Sequence, residues 1–171
     1  MLYHMLPCAL LALLAATLFV RAATIKMPAN SDIAKRDLPK WDWTKDKVYG
    51  TNLGGLFLLE RWMYEDWMVE KGGEDAWDEY TMSKNVGDGM YDILNEHFDS
   101  WFTEDDMDTL ADAGVNMLRI PMGYWPFVSA DEAGEPYKTA SHLDKLSQIM
   151  KWSQDRRMYV LLDLHLSLIH I

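Results

Sequence analysis

Short apolar runs alternate along this chain with stretches of helical spacing. Leu56-Phe57-Leu58-Leu59 follows Asn52 and the pair Gly54-Gly55 and is closed by Glu60. Val115 to Ile120 carries Arg119 and is stopped by Pro121. Met158 to Leu164 is apolar except for Asp163 and leads into His165. Runs of this length read as strands, the last of them a buried one. Each presents a charged or titratable residue near its end: Glu60, Arg119 and His165.

Helices fill the intervals. Tyr91 to Ser100 predicts one. The next opens with Thr103 as N-cap and Asp106 three residues on, with Phe102 and Met107 in hydrophobic-staple positions. Met107, Leu110 and Ala111 share a face, and Gly114 stands where a C′ glycine ends a helix. Ser141 with Asp144 predicts a second cap, and Leu143, Leu146, Ile149 or Met150 and Ser153 continue at helical spacing to Arg157. Arg61 to Gly89, aromatic, acidic and glycine-punctuated, predicts no more than a short helix or two. Helix, strand, helix, strand in this order is a βαβ pattern and implies a parallel sheet with a right-handed crossover.

Upstream, Pro7 to Val20 is an apolar run too short to span a bilayer, and Val20-Arg21-Ala22 offers small residues for cleavage. Residues 1–23 are therefore expected to be a secretory signal peptide, with an uncleaved anchor as the alternative and no stable membrane insertion. Residues 24–40 read as a polar arm or propeptide, in which Lys35-Arg36 is either a trimming site or two solvated charges. The single cysteine, Cys8, lies inside the signal segment, so secretion brings no disulfide framework. A formal charge of −11 argues against nucleic acid, where a basic patch supplies most of the affinity. Eight tryptophans and eight tyrosines fit a neutral polymer gripped by flat aromatic faces, although for any single ring the core is the ordinary place.

Five motifs occur in one order: Asn52-Leu53-Gly54-Gly55 with Leu59-Glu60 and Trp62; Asp78-Glu79-Tyr80-Thr81; His97-Phe98-Asp99-Ser100-Trp101-Phe102-Thr103-Glu104-Asp105-Asp106; Ala113-Gly114-Val115-Asn116-Met117-Leu118-Arg119-Ile120-Pro121-Met122-Gly123-Tyr124-Trp125; and Asp163-Leu164-His165. In this register, residues 41–165 resemble the N-terminal third of a glycoside hydrolase family 5 enzyme of the fungal exo-1,3-β-glucanase branch. The resemblance implies an α/β fold, about three βα units of a (β/α)₈ barrel, which in full takes roughly 250 residues. It implies a secreted enzyme acting on β-glucan at the cell wall or outside the cell, with no metal or organic cofactor, and a monomer when complete. Retaining hydrolysis in the family uses two glutamates about 5–5.5 Å apart. These follow the fourth and seventh strands, so no catalytic residue is expected within this stretch.

What the resemblance assigns here is sugar-binding support. Glu60 matches a carboxylate that accepts hydroxyl hydrogen bonds from the terminal sugar, unless it is a surface ion pair with Arg61 or Arg119. Arg119 matches an arginine that braces the nucleophile, since a fixed cation keeps a carboxylate ionised and oriented. His165 matches a neutral donor toward the sugar. Tyr124 and Trp125 either line the cleft or pack under the loop after the second strand, and Asp163 is expected as an acceptor beneath the rim. Leu56 stands where the branch usually has tryptophan and Arg61 where it often has proline, which leaves the shape of the subsite open. Residues 166–171 match nothing in the family. The other readings are a non-catalytic carbohydrate-binding protein and an endo-1,4-glucanase or mannanase.

Overall fold

A computed structural model describes residues 40–128, 130 and 134–166. The expected signal segment, nearly all of the polar arm, and the tail after Leu166 lie outside the described residues. Three parallel strands run in the order β1 (Gly50–Asn52), β2 (Met117–Gly123), β3 (Tyr159–Leu166). Four helices, α1 (Glu65–Gly72), α2 (Glu79–Val86), α3 (Met90–Trp101) and α4 (Glu104–Asp112), lie between β1 and β2, and α5 (His142–Asp155) lies between β2 and β3.

The sheet sorts its residues by parity. Leu118, Ile120 and Met122 of β2 are fully buried in a core shared with Leu94 and Phe98 of α3, Met107 of α4, and Leu146, Ile149 and Trp152 of α5. Arg119, one residue out of phase, therefore points to the opposite face. Register aligns Asn52 with Arg119, Arg119 with Leu161 and Pro121 with Asp163, so these side chains share that face.

Two caps differ in outcome. Thr103 and Asp106 form a full capping box at α4, and Gly114 follows at φ +83°. Ser141 makes no side-chain cap at α5; its N–H and hydroxyl instead donate to Asn95 Oδ1 at 3.1 and 2.6 Å, tying α5 to α3.

Three strand expectations are corrected. The first strand is Gly50–Asn52, not the run ending at Glu60. Leu56 to Leu59 is buried but pairs with the sheet only through an isolated bridge between Phe57 and Met122. The chain breaks from the sheet at Gly54-Gly55, where Gly55 has φ +71°. There side chains replace ladder partners: Trp101 Nε1 donates to the Gly54 carbonyl at 3.1 Å, and Tyr64 Oη and His97 Nε2 reach the Gly55 carbonyl at 3.0 and 2.7 Å. Pro121 does not stop β2 but sits inside it. The Leu53 N–H donates to the Arg119 carbonyl, so residue 121 looks toward β1 two residues on, where β1 has already ended. The missing proline N–H thus breaks no ladder bond. Finally, β3 is not buried: Leu161, Leu162 and Leu164 are about half exposed, on both faces of the sheet edge.

Candidate substrate-binding rim

Side chains from all three strands converge on one guanidinium. Arg119 Nη1 donates to Asn52 Oδ1 at 3.4 Å, and Nη2 donates to Asp163 Oδ2. The same Nη2 lies 3.2 Å from His165 Nδ1, which is also 3.1 Å from Asp163 Oδ2. β1 thus contributes the amide, β2 the cation, and β3 the carboxylate and the imidazole. Asp163 and His165 meet Arg119 together because residues two apart on a strand share a face. The Arg119 and Asp163 side chains are each about one-third exposed, at 33% and 30%. Their attraction is screened, so its value lies in fixing the guanidinium plane more than in stability. Three of the five guanidinium N–H groups face these partners, which leaves two for a further acceptor.

Glu60 stands nearby through the β1 turn. Its Oε2 lies 3.7 Å from where a Cβ on Gly54 would sit, and its Oε1 accepts from Trp62 Nε1 at 3.3 Å. Arg61 pairs with Glu65 and Arg119 with Asp163, so neither of the cations expected as an ion-pair partner takes Glu60. Glu79, fully buried at the start of α2, supports this segment: its Oε2 accepts from the Leu59 N–H at 3.2 Å, and Glu60 bridges Asp78. Burial pushes the Glu79 carboxyl up to about 8, against the hydrogen bond from the Leu59 backbone.

Tyr124 and Trp125 are packed side chains. Trp125 is fully buried and Tyr124 nearly so, with Leu58 and Ala130. The Trp125 ring stacks on Tyr137 at 4.0 Å between centroids, and it lies so close over Gly123 that a Cβ there would overlap the indole. Leu56, at the position where the branch usually has tryptophan, is also buried in the core.

Asn52 and Asp163 as partners of Arg119 were missed in the sequence. Asn52 reads as a turn former, and its role appears only once the register sets it opposite Arg119. For Asp163 the signal is its i, i+2 relation to His165. Among the described residues, no group of three or more His, Cys, Asp or Glu is arranged to hold a metal ion, and no helix is long and apolar enough to cross a membrane.

A family model described as Cellulase (glycosyl hydrolase family 5) matches residues 91–169. A probable glucan 1,3-β-glucosidase A of Emericella nidulans is 37% identical over 121 residues, 70% of this chain and 29% of its own length. A protein of the same name from Aspergillus clavatus is 35% identical over 166 residues, 96% of this chain and 37% of its own.

Over these residues the chain is similar to glycoside hydrolase family 5.

Glucan 1,3-β-glucosidase 1 of Schizosaccharomyces pombe adds 36% identity over 86% of this chain. The chain spans about a third of the length of the curated relatives it matches. Among solved structures, rutinosidase from Aspergillus niger superposes with a TM-score of 0.67 at 24% identity. AoRut superposes with the same score at 27% identity; each likeness covers 73% of this chain and 34% of the other. The three parallel strands and their helices are thus part of the family 5 (β/α)₈ barrel. In such a barrel the face opposite the helices is the interior, and the C-terminal strand ends carry the active site.

Proposed function

We propose that this chain supplies the sugar-binding rim of a secreted retaining β-glucosidase acting on 1,3-linked glucan outside the cell or at the wall. The observation that carries the reading is Arg119, fixed by Asn52, Asp163 and His165 at the strand ends with N–H groups left over. A guanidinium held on both sides and facing a barrel interior suits the bracing of a carboxylate nucleophile. Glu60 accepts hydroxyl hydrogen bonds from the terminal sugar, charge-assisted and therefore of the stronger kind. With its Nδ1 beside Arg119 and Asp163, His165 keeps its Nε2 for a hydrogen bond to the sugar. The two glutamates that break the bond come from family strands four and seven, as the resemblance implies.

The test is product analysis with the intact protein on laminarin, cellulose and mannan. Glucose from laminarin with retained anomeric configuration is the expected result. Internal cleavage of cellulose or mannan would replace the linkage assignment, and binding without hydrolysis would replace the enzyme with a carbohydrate-binding protein.

A further inference from the structure

Two tryptophans stand in solvent beside Glu60, although burial is the ordinary fate of an indole. Trp62 is 78% exposed and Trp77 65%. Because Glu60 bridges Asp78 in antiparallel sense, the adjoining residues Arg61 and Trp77 come opposite one another. The Arg61 guanidinium lies 4.0 Å from the Trp77 ring centroid. Arg61 is itself immobilised. Its Nη1 donates to the Glu74 and Ala76 carbonyls at 2.9 and 3.4 Å, and its Nε and Nη2 donate to Glu65 Oε1 at 3.2 and 2.9 Å. One face of Trp77 therefore rests on a fixed planar cation while much of the ring stays in solvent. Trp62 is tethered through its Nε1 to Glu60.

The chemistry of the patch selects its ligand. Arg61 has spent four of its five donors within the protein, and a net charge of −11 repels polyanions. The Glu60 carboxylate beside Trp62 disfavours a purely apolar protein partner. Exposed flat rings, one of them hydrogen-bonded to a hydroxyl acceptor, match a pyranose chain, whose C–H faces stack while its hydroxyls bond. The aromatic side chains are already oriented, so little rotamer freedom is lost on binding.

We propose that Trp62 and Trp77, fixed by Glu60 and Arg61, form a glucan-binding platform that takes sugar units of the chain beyond the one Glu60 engages. This rests on the reading of Glu60 given above. A proline at position 61, which the branch often has, offers neither the stack nor the hydrogen bonds, so the platform would distinguish this protein from relatives that keep the proline.

The test is calorimetric titration of the intact protein with thio-linked laminaribiose and laminarihexaose, which resist hydrolysis. Trp77→Ala should weaken hexaose binding about tenfold, the scale of truncating a tryptophan anchor, and disaccharide binding much less. Trp77→Phe should recover most of the loss. Glu60→Gln should weaken both lengths alike. An unchanged hexaose affinity in Trp77→Ala, or an equal loss for both lengths, overturns the platform. If the wild type prefers cello- or manno-oligosaccharides, the linkage reading fails, and the same length comparison on that chain decides the platform. Binding of no oligosaccharide overturns both.

Discussion

Lysine at position 119 would retain the charge and lose the fork. A single ammonium cannot hold Asn52, Asp163 and His165 in one plane and still present donors to a carboxylate. Arg119→Lys in the intact protein should lower kcat on laminarin about a hundredfold, the scale of a reacting group misplaced by an ångström. Near-UV circular dichroism should stay native; unchanged turnover would remove Arg119 from the site. Glu60→Gln keeps the shape and loses the charge-assisted bonds, which should cost about 1.5–3 kcal/mol in kcat/KM. Wild-type kinetics would make Glu60 a surface group. At this scale the sequence was legible where a polar residue interrupts an apolar run, as Arg119 and His165 do. It was silent on which partners hold them, because Asn52 and Asp163 lie 67 and 44 residues from Arg119 and meet it only through strand register.

Elements marked by local chemistry were readable, and those set by tertiary contacts were not. The α4 capping box needs only Thr103 and Asp106, whereas Ser141 was drawn from capping to Asn95 of a helix some forty residues upstream. The apolar run Leu56 to Leu59 looked like a strand because its side chains are buried. What denied it sheet geometry is the glycine turn, whose carbonyls are satisfied by Tyr64, His97 and Trp101. Gly123 is the corresponding constraint after β2, where Trp125 occupies the volume a side chain would need. Gly123→Ala should destabilise the intact protein by about 1–3 kcal/mol, as overpacking does elsewhere. Thermal unfolding checks this, and an unshifted midpoint would show that the indole can move aside freely.

At the scale of the molecule, three buried titratable groups shape the response to pH. His97 and His142 are held below their ordinary value by burial, His142 down to about 3. Their contribution is complete above the unfolded value of 6.5 and is lost as pH falls below it, for His142 down to about 3. Glu79 is opposite in sign: raised from 4.5 to about 8, it contributes fully below 4.5 and loses that contribution as pH rises through 8. Stability should therefore peak between about pH 4.5 and 6.5, and Glu79→Gln should flatten the alkaline fall while leaving the acid fall, as read from unfolding midpoints against pH. Expressed separately, residues 24–171 should show no cooperative transition and release no glucose from laminarin. The half-exposed leucines of β3 form an open edge that favours aggregation. A sharp melt would refute this. The convergence of three strands on Arg119 also bears on how the barrel assembles. A one-residue slip of β2 would turn the guanidinium into the helix layer among Phe98, Met107 and Ile149, a charge without a counterion in oil. The substrate-facing arginine is thus also a proofreader, penalising misregistered folding intermediates before any sugar arrives.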